Sequence, residues 1–517
     1  MPPSGTATAA DQAPRPESLA SVPIAELVAM IGGSPSSVAP DARVGGVTLR
    51  SQDVRAGDLF AALPGTKAHG ADFAERALAS GAGAILTDAV GAARPVIASA
   101  EVPVLVAEDP RAVLGALSAR VYGDPTARLA VLGVTGTSGK TTVSFFVDAG
   151  LRAAGLTTGL LGTVRTMIAG RRWDAALTTP EAPDLQALFA IMLERGVSHA
   201  VMEVSSHALS LHRVDGTRFA VGAFTNLSRD HLDFHPTMGD YFAAKARLFD
   251  GRAINEVINI DDEWAPGLRH DRTVTVSATG ASGAGWHAES IVPAAGGGQR
   301  FVAVDPSGLR TSVEMPLPGA YNVANALLAI ACLDQVGVPA SIAATGLADV
   351  SVPGRLERVD AGQPHLALVD YAHKPGAVAA LLGTLRESVP EGGRLLVVLG
   401  CGGDRDTAKR PLMGAEAARR AELLIITDDN PRSEDPAAIR AAMRAGALTA
   451  PPLGEVLEIG DRAEAIEAAV ARATERDVLV IAGKGHETGQ EIRGTRRPFS
   501  DVDALRSALV ARWGDDR

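Results

Sequence analysis

The sequence predicts an α/β protein of three domains, in which doubly wound, mostly parallel sheets carry the functional residues. Short apolar runs that end in polar or glycine-rich tips alternate with helix-like stretches along most of the chain. Such runs are typical of buried parallel strands, whose connections are usually helices. Ligands bind at the carboxyl ends of the strands in sheets of this kind, so the polar tips are where function is expected.

The central domain, predicted over residues 127–352, contains the first group of these runs. Its predicted strands lie at residues 128–134, 200–204, 221–225 and 257–260. Its predicted helices lie at residues 143–154, 184–195, 240–249 and 322–336. The glycine-rich stretch 278–298 has little periodicity, which indicates an insertion or a hairpin region.

A second α/β domain is predicted over residues 353–517. Its strands are again short apolar runs with polar or glycine-rich tips, at residues 367–370, 394–399, 423–427 and 478–482. Residues 21–126, which mix short helical and strand patterns, form the predicted N-terminal domain. Residues 1–20 are polar and contain proline, which predicts a disordered tail.

Composition and charge exclude several classes of protein. Charged residues make up 21% of the chain and hydrophobic residues 46%, as in ordinary globular proteins. The net charge of −11 argues against a general nucleic-acid binder but leaves room for a local basic pocket. We expect a cytoplasmic protein, because no apolar run reaches the ~18 residues of a membrane span and the N-terminus lacks the pattern of a secretory signal. Cys332 and Cys401 predict neither a disulfide framework nor a zinc site, and both are expected to be small buried residues.

Lysine is rare in this chain, since only six of the 49 basic residues are lysines. Arginine is a wide fork that stays charged, whereas lysine is a compact point charge that can lose its proton. A chain that prefers arginine so strongly is expected to keep lysine where arginine cannot serve. For Lys67 and Lys374 an ordinary surface role remains equally open. The six lysines are Lys67, Lys140, Lys245, Lys374, Lys409 and Lys484.

A phosphate-binding loop is predicted directly after the first strand of the central domain, where the sequence GTSGKTT opens a helix. In that context backbone N–H groups and the helix N-terminus face phosphates, Lys140 neutralises their charge and Thr141 can hold Mg²⁺. The spacing departs by one place from the usual G-x-x-x-x-G-K-[ST], because the first glycine is Gly133 and not residue 134. This departure indicates a distinct subfamily of phosphate loop. The predicted phosphate contacts are Gly136, Thr137, Ser138, Gly139, Lys140, Thr141 and Thr142.

Further short motifs follow the loop in a fixed order. They are LTTP at 177–180, MEVSSHAL at 202–209, NLSRDHLDFH at 226–235, YFAAKARLF at 241–249, PGR at 353–355, DYAHKP at 370–375, GCGGDRD at 400–406, DDNPR at 428–432 and GKGHE at 483–487. Each is weak alone, but the whole series, over roughly residues 45–505, resembles the Mur ligase family. The resemblance implies an N-terminal UDP-binding domain, a central ATPase domain and a C-terminal Rossmann-like α/β domain that binds an acceptor amino acid. It implies that ATP phosphorylates a carboxylate and that an amine then attacks the acyl phosphate, giving an amide, ADP and phosphate.

The resemblance also implies two magnesium ions beside the loop. Thr141 and Glu203 resemble ligands of one ion, and His231 and Lys245 resemble ligands of the other. In the family this lysine is a carbamate formed with CO₂ (N6-carboxylysine), which arginine could not form. Without the family motif, Lys245 would be expected to be an exposed helical lysine. The implied catalytic residues are Lys140, Glu203, His231, Lys245 and Arg355.

Four residues outside the loop resemble contacts to ATP. Asn259 resembles a contact on the adenine side, and Arg355 resembles a contact to the γ-phosphate, like an arginine finger. Asp370 and His373 resemble nucleotide contacts that form when domains close.

A separate set of residues resembles the contacts to a UDP-linked muramoyl dipeptide. Two positions depart from the family pattern: Arg50-Ser51-Gln52 stands where DSR is common, and Leu211 stands where a polar residue sometimes occurs. Both departures bear on the detailed contacts. The matching residues are Leu49, Ser51, Thr66, Lys67, Ala68, Thr178, Thr179, Ser205 and Arg213.

Arg432, in DDNPR, predicts the acceptor amino acid. In the family this arginine marks members that add 2,6-diaminopimelate, and members that add lysine lack it. A guanidinium can hold the second carboxylate of diaminopimelate with two hydrogen bonds, but it would repel the distal ammonium of lysine. Glu487 is suited to the distal ammonium of diaminopimelate. The other implied contacts are Arg410, Asp429, Asn430, Pro431 and Gly483.

Three functional hypotheses follow. The leading one is an ATP-dependent ligase with Mg²⁺ as cofactor, which adds diaminopimelate to the D-glutamate γ-carboxylate of UDP-N-acetylmuramoyl-L-alanyl-D-glutamate. We expect it to act as a monomer, without nucleic-acid or membrane partners. A folylpolyglutamate-synthetase-like ligase would share the ATPase architecture but would not need residues 46–60 or DDNPR. A nucleotide-dependent regulatory or binding module would hydrolyse ATP without forming an amide, and would leave the acceptor motifs unused.

Overall fold

The chain divides into two units in the computed structural model, which describes residues 14–32, 41–173, 177–294, 297–404, 406–449 and 453–514. The first unit runs to Ala288 and includes residues 303–311 and 324–347. The second unit comprises residues 289–302, 312–323 and 348–517. The first unit thus contains the predicted N-terminal domain and most of the predicted central domain, whose residues 289–302, 312–323 and 348–352 belong to the second unit. Residues 1–13 of the predicted tail lie outside the described residues.

A small parallel sheet with helices forms the N-terminal part of the first unit. Its elements are β1 (Val22–Pro23), α1 (Ile24–Met30), β2 (Arg43–Val44), β3 (Gly46–Thr48), β4 (Asp58–Ala61), α2 (Ala74–Ala79), β5 (Ala84–Thr87), α3 (Ala89–Ala92), α4 (Pro95–Ala98), β6 (Val104–Val106) and α5 (Pro110–Val121). Strands β3 to β6 pair in chain order and are all parallel, and β1 pairs with β2 antiparallel. Buried apolar residues of these strands pack against α5 to form the core of this module.

Arg15 lies in the segment predicted as a tail, yet its side chain is buried against this sheet. Its guanidinium donates hydrogen bonds to the Asp58 carboxylate at 2.5 Å, the Tyr122 hydroxyl at 2.8 Å and the Val47 carbonyl at 3.2 Å. Burial raises the pKa of Asp58, and the Arg15 charge opposes that rise. The described end of the predicted tail therefore supplies the cation that a buried carboxylate needs.

The central sheet and its helices follow along the chain, mostly within the first unit. Its region contains β7 (Ala130–Thr135), α6 (Lys140–Ala153), β8 (Thr158–Leu161), β9 (Thr166–Ile168), β10 (Arg171–Trp173), α7 (Ala182–Glu194), β11 (His199–Glu203), α8 (Ser206–Ser210), β12 (Phe219–Phe224), α9 (Met238–Ala246), β13 (Ala253–Asn259), β14 (Thr273–Ser277), β15 (Trp286–Pro293), β16 (Gln299–Val304), β17 (Arg310–Met315), α10 (Ala320–Asp334) and α11 (Ala340–Leu347). The strand order begins β10-β9-β8-β11-β7-β12-β13-β14, and Trp286 and His287 of β15 pair with β14. In this spatial order, each neighbouring pair from β8 through β11, β7, β12, β13 and β14 to β15 is parallel. The pairs β8–β9 and β9–β10 are antiparallel.

The predicted elements of the central region are present with small shifts in their ends. Helix α6 begins at Lys140, three residues before the predicted start, because the phosphate loop passes directly into the helix. The helix predicted over 240–249 ends at Ala246, and Arg247–Phe249 continues as a 3₁₀ turn. Its start at Met238 is set by a capping box, in which Thr237 and Asp240 bond each other's backbone N–H groups.

The second unit contains a six-stranded sheet that is parallel apart from its first strand. Its elements are β18 (Glu357–Arg358), β19 (Leu366–Asp370), α12 (Pro375–Glu387), β20 (Leu395–Cys401), α13 (Lys409–Ala418), β21 (Leu423–Asp428), α14 (Pro436–Ala447), β22 (Glu455–Glu458), α15 (Arg462–Arg472), β23 (Val478–Ala482), β24 (Gly489–Ile492), β25 (Thr495–Pro498) and α16 (Asp501–Trp513). The strand order is β18-β19-β23-β20-β21-β22, and β24 and β25 form a separate hairpin.

Both faces of this sheet are buried, as the continuous apolar runs predict. Along β23, Val478 and Val480 pack into the core on one face, and Leu479 and Ile481 pack into the core on the other. Alternate residues of a strand point to opposite faces, so an uninterrupted apolar strand requires cover on both. The predicted α/β class is therefore confirmed.

Two expectations from composition can be compared with the structure. Cys332 and Cys401 are both buried, and burial raises the pKa of each thiol, so the prediction of small buried residues is confirmed. Among the described residues, the structure contains no helix long and apolar enough to cross a membrane.

His365 makes the stability of the second unit dependent on pH. The residue is buried, its ring packs edge-on against Trp513 at 4.9 Å, and neither ring nitrogen has a hydrogen-bond partner among the described residues. Burial lowers its pKa from the ordinary value near 6.5 to about 4. Below pH ~6.5 the unfolded chain takes up a proton that the folded chain refuses, so stability falls as the pH is lowered toward 4.

We expect His365→Phe, which keeps an aromatic ring against Trp513, to lose less stability on acidification than the wild type. At pH 5 the difference should be roughly 1–2 kcal/mol in the free energy of unfolding, relative to the difference at pH 7.5. Urea denaturation of both proteins at the two pH values measures it. An identical pH dependence in the two proteins would contradict the neutral buried state of His365.

Candidate active site

The predicted phosphate loop lies between the end of β7 and the start of α6. Gly136 has a φ of 146°, and a Cβ there would come within 1.8 Å of the Thr225 hydroxyl. Gly139 has a φ of 87°, and a Cβ there would come within 2.5 Å of the Asn325 side-chain oxygen. Only glycine fits these two positions, because each combines a positive φ with close packing. The Lys140 ammonium folds over the loop and donates to the carbonyls of Gly136 at 2.8 Å and Thr137 at 3.0 Å.

The segment after β12 supports the loop from the side. Thr225 donates its hydroxyl hydrogen to the Ser138 carbonyl at 2.6 Å, and the Asn226 carbonyl accepts from the Thr137 N–H at 2.8 Å. The Asn226 side-chain oxygen accepts from the Ser138 N–H at 3.0 Å. Strand β12 is the parallel neighbour of β7, so the carboxyl ends of the two strands bring these segments together.

Glu203, at the end of β11, is hydrogen-bonded to residues of three different segments of the first unit. Its carboxylate is 2% exposed and accepts from the Thr141 hydroxyl at 3.0 Å. It also accepts from Thr163, through the N–H at 2.8 Å and the hydroxyl at 3.1 Å. The structure therefore brings together Thr141 and Glu203, as the resemblance implies for one magnesium ion. A hydroxyl and a carboxylate oxygen are hard donors of the kind that Mg²⁺ prefers.

Four of the predicted dipeptide-binding residues lie around the same strand end. Thr179 donates to the Glu203 carbonyl at 2.9 Å and accepts from the Ser205 N–H at 3.2 Å. The Thr178 hydroxyl lies 3.0 Å from that of Thr163, which itself holds Glu203. Arg213 approaches the Thr179 carbonyl at 3.4 Å and forms an ion pair with Glu181 at 2.9 Å.

The remaining predicted dipeptide contacts belong to the N-terminal module. Leu49 is half-buried and Ser51 is buried at the start of a 3₁₀ turn, whereas Thr66, Lys67 and Ala68 are exposed on the loop after β4. The structure does not show these two groups in contact with Thr178, Thr179 or Ser205. Arg50, a departure from the family pattern, instead forms an ion pair with Asp184 of α7 at 2.9 Å.

His231 and Lys245 both lie near the ring of Tyr241. The Lys245 ammonium is 4.5 Å from the centre of the Tyr241 ring, and the centre of the His231 ring is 5.9 Å from it. Lys245 is 1% exposed and donates to the Gly136 carbonyl at 2.8 Å, so the alternative of a solvent-exposed lysine is wrong. His231 has a φ of 52°, a conformation that a residue with a side chain rarely adopts. Among the described residues, no group of three His, Cys, Asp or Glu side chains could hold a metal by itself.

Asn259 occupies the end of β13, two strands from the loop. Its amide donates to the Thr225 carbonyl at 2.9 Å, and its side-chain oxygen accepts from the Asp261 N–H at 3.2 Å. Thr225 also bonds the loop at Ser138. Asn259 is thus linked to the predicted phosphate loop through a single residue.

In the second unit, Arg355, Asp370 and His373 lie close together at the end of β19. The Arg355 guanidinium stacks 4.4 Å from the centre of the Tyr371 ring, and His373 and His486 lie 4.5 and 5.2 Å from the same ring. Asp370 accepts from the Leu356 and Ala372 N–H groups, both at 2.8 Å. Burial raises the pKa of Asp370, against the effect of Arg355, and burial lowers the pKa of both His373 and His486 to about 4.

The predicted acceptor residues lie beside this group, at the carboxyl ends of β21 and β23. The Asn430 amide donates to Glu487 at 2.8 Å, and Gly483 places its backbone so that a Cβ would lie 3.3 Å from the Asp429 carboxylate. Lys484, which carries no predicted role, lies among these residues and is fully buried.

Arg432 is held in a strained conformation by the hairpin of β24 and β25. Its φ is 52°, its N–H donates to the Glu491 carbonyl at 3.0 Å, and its carbonyl accepts from the Arg493 N–H at 2.6 Å. Its guanidinium donates to the Gly403 carbonyl and lies 3.5 Å from the Glu491 carboxylate. It follows Pro431, whose carbonyl packs against Gly403. The hairpin therefore fixes where the predicted specificity residue points.

Arg410 is the second residue of α13 and is buried. It forms an ion pair with Glu434 at 2.7 Å, and that partner raises the pKa of Arg410. Glu434, in the segment after β21, also accepts from the Asp404 N–H. It therefore connects Arg410 with the loop that follows β20.

Comparisons with known proteins agree with the order of the motifs. Three family models match the chain: the catalytic domain of the Mur ligase family over residues 43–122, the Mur ligase middle domain over 134–333, and the Mur ligase glutamate ligase domain over 354–485. A protein of Streptomyces coelicolor is 51% identical to this chain over 97% of its length and 99% of the relative's. A protein of Corynebacterium glutamicum is 51% identical over 92% of this chain and 94% of the relative.

The chain belongs to the Mur ligase family. Both relatives are named UDP-N-acetylmuramoyl-L-alanyl-D-glutamate–2,6-diaminopimelate ligase. A solved structure that carries the same name is 33% identical and superposes with a TM-score of 0.70, covering 95% of this chain and 99% of the other. This Mur ligase thus resembles proteins of one named activity over nearly its whole length.

Sequence reasoning missed several residues that lie within the candidate sites of this Mur ligase. Thr163 donates hydrogen bonds to Glu203, Tyr241 contacts both His231 and Lys245, and Lys484 lies in the predicted acceptor pocket. Thr163 is an ordinary residue in sequence that no pattern marks, whereas Tyr241 begins the motif YFAAKARLF but carries no predicted role. Lys484 carried a signal, since it is one of the six lysines and lies in GKGHE.

We expect Lys245→Ala to be nearly inactive and Lys245→Glu to retain more activity, because glutamate restores a carboxylate near the position of a carbamate. Turnover measured as phosphate release tests this order, with short-chain carboxylates added to seek partial rescue of the alanine variant. A second measurement does not depend on activity: ¹³C-labelled bicarbonate should give a carbamate carbon signal in the wild type that Lys245→Ala lacks. Full activity of Lys245→Ala would contradict the role of this residue.

Proposed function

We propose that the chain is an ATP-dependent ligase that joins 2,6-diaminopimelate to the D-glutamate γ-carboxylate of UDP-N-acetylmuramoyl-L-alanyl-D-glutamate. The observation that carries this proposal is the position of Glu203, which bonds Thr141 of the phosphate loop and, through Thr163 and its own carbonyl, the dipeptide residues Thr178 and Thr179. A nucleotide and a substrate carboxylate bound to these residues would lie side by side. Carboxylate phosphorylation requires that placement.

The proposed reaction has two steps, carboxylate phosphorylation and attack by the amine. A γ-carboxylate oxygen of the dipeptide attacks the γ-phosphorus of ATP and releases ADP, which leaves an acyl phosphate. The unprotonated amine of the acceptor then attacks the acyl carbon, phosphate leaves, and the nitrogen loses a proton to give the amide. Phosphorylation supplies the leaving group that a carboxylate lacks, so the protein mainly positions the reactants and neutralises charge.

In this proposal the nucleotide is bound by the phosphate loop and by the four further residues that resemble family contacts to ATP. Residues 136–142 wrap the phosphates, and Lys140 neutralises their charge. Asn259 contacts the adenine side. Arg355, Asp370 and His373 supply further nucleotide contacts, with Arg355 at the γ-phosphate.

Magnesium fits the donors of the first unit. Thr141 and Glu203 would hold one ion, since their oxygens lie 3.0 Å apart in a buried position. His231 and the carbamate of Lys245 would hold a second. The ions would offset the negative charge of the nucleotide and the carboxylate. Lys245 becomes an oxygen donor when its neutral amine adds to CO₂ and loses a proton.

The UDP-linked dipeptide is bound by the N-terminal module and the central sheet in this proposal. Leu49, Ser51 and residues 66–68 contact the uridine side. Thr178, Thr179, Ser205 and Arg213 contact the muramoyl dipeptide. The product would enter cell-wall precursor synthesis, and a monomer acting in the cytoplasm suits these soluble substrates.

The acceptor pocket is assigned to the second unit. Arg432 holds the distal carboxylate of diaminopimelate and Glu487 its distal ammonium. Arg410, Asp429, Asn430, Pro431 and Gly483 complete the pocket. A folylpolyglutamate-synthetase-like activity does not account for Arg432, and a binding module does not account for the conjunction of nucleotide and dipeptide residues at Glu203.

We expect phosphate release from ATP only when the UDP-dipeptide and diaminopimelate are both present, because the acyl phosphate turns over only when an amine attacks it. The assay compares the dipeptide alone, the amino acid alone and both together, and mass spectrometry identifies the amide. Phosphate release without either substrate would favour a nucleotide-dependent binding module. Turnover with folate substrates in place of the UDP-dipeptide would favour the other ligase.

We expect Arg432→Ala to impair the use of diaminopimelate by roughly tenfold or more in KM, because a charge-assisted contact contributes about 1.5–3 kcal/mol. The KM values for ATP and the UDP-dipeptide should hardly change. Lysine need not become a good substrate, since the pocket remains shaped for a larger end group. Steady-state kinetics with both amino acids measure these values.

Arg497→Ala is the matched control for this variant, since Arg497 is an exposed arginine on β25 of the same hairpin. It should leave all three KM values unchanged. Unaltered diaminopimelate kinetics in Arg432→Ala would remove the basis for the choice of acceptor.

A further inference from the structure

Lys484 is a fully buried lysine whose ammonium contacts three polar side chains. Its nitrogen lies 3.1 Å from the Glu487 carboxylate, 3.1 Å from the Asn430 side-chain oxygen and 3.4 Å from the Asp429 carboxylate. An ammonium has three N–H donors, so these acceptors account for all of them. Burying a cation is costly unless it is paired in this way. The lysine is therefore held in one place by the pocket around it.

The backbone on either side of Lys484 forces the side chain inward. Gly483 and Gly485 have φ values of 115° and 52°, and a Cβ at Gly485 would come within 2.7 Å of Tyr371. The Gly483 N–H bonds the Asp370 carbonyl at 3.1 Å, and the Glu487 N–H bonds the Lys484 carbonyl at 3.0 Å. The chain thus leaves β23 in a tight turn that places Lys484 and Glu487 in contact.

Lys484 orients the carboxylate of Glu487. Within the described residues, both hydrogen bonds to this carboxylate, from Lys484 and from Asn430, fall on its Oε2 atom. The Glu487 side chain as a whole is 31% exposed, so it remains accessible to a ligand. The same lysine also orients Asn430, whose oxygen accepts from it and from the Glu491 N–H at 2.9 Å.

Lys484 also affects the charge in the part of the pocket around Glu487. With their ordinary charges, Asp429, Glu487 and Lys484 together carry one net negative charge. The neighbouring Arg462 and Asp501 form a neutral ion pair with both side chains fully buried. One negative charge beside Glu487 suits the single distal ammonium of the ligand, whose distal carboxylate is assigned to Arg432, whereas without the lysine Asp429 and Glu487 would together carry two negative charges.

We propose that Lys484 is a positioning residue that orients Glu487 and Asn430 toward the distal ammonium of diaminopimelate. This inference rests on the proposed function. Arginine is not a substitute, because its wider planar fork would not fit among the three acceptors in a fully buried site. This explains why a chain so poor in lysine keeps one at this position.

The test is to measure the KM for ATP, UDP-dipeptide and diaminopimelate, with kcat, for Lys484→Met. Methionine fills a similar buried volume without charge. The KM for diaminopimelate should rise roughly tenfold or more, and the other two KM values should stay within about twofold. The preference for diaminopimelate over lysine should also fall, since a more negative pocket favours an acceptor end with an uncompensated ammonium. In a Glu487→Gln background the same change should raise the KM by no more than about threefold, because the lysine acts through Glu487.

Arg386→Met serves as the matched control, because it removes a cation that pairs with Glu422 elsewhere in the second unit. Its three KM values should match the wild type. Should Lys484→Met fail to fold, Lys484→Gln, which keeps an amide donor, is assayed in the same way. An unchanged KM for diaminopimelate, or an equal rise in all three KM values, would overturn the inference. If the wild type itself makes no amide from both substrates, the proposed function fails instead.

Discussion

The buried carboxylate of Glu203 is the constraint on which the site of the first unit depends. A carboxylate that is 2% exposed is stable only if its oxygens are hydrogen-bonded or paired with a cation. Thr141 and Thr163 supply the hydrogen bonds to it, and its backbone carbonyl holds Thr179. Since Thr141 lies in the first turn of α6 and Thr179 lies in the LTTP segment, one residue fixes the spacing between the predicted nucleotide and dipeptide contacts.

A buried charge in the second unit is also stabilised by a partner of opposite charge and by hydrogen bonds. The Arg462 guanidinium pairs with Asp501 and donates to the carbonyls of Asp428 at 3.3 Å and Ala482 at 3.0 Å. Those carbonyls end β21 and β23, the two strands that lead into DDNPR and GKGHE. Removing one partner of such a buried pair would leave an uncompensated charge, which is strongly destabilising. The buried Arg462–Asp501 pair therefore holds the ends of the two strands that carry the predicted acceptor pocket.

The sequence was sufficient for the elements of the fold and for the phosphate loop, because both depend on local patterns. An apolar run predicts a strand, and glycines before a helix predict a loop for phosphates. It was insufficient for Thr163, because that residue meets Glu203 only where β8 pairs with β11, and strand order is not a local property. The same holds for Arg15, whose partners Asp58 and Tyr122 are far along the chain.

His231 and Arg432, which belong to the predicted sites of the first and second unit, both have a left-handed backbone. Such a conformation costs about 1–3 kcal/mol at a residue with a side chain, and it persists only where the surroundings impose it. For Arg432 the surroundings are visible: the hairpin of β24 and β25 bonds its N–H and its carbonyl. Glycine at this position would relieve the strain but would remove the guanidinium. The hairpin therefore holds an arginine in a conformation that only glycine adopts without cost.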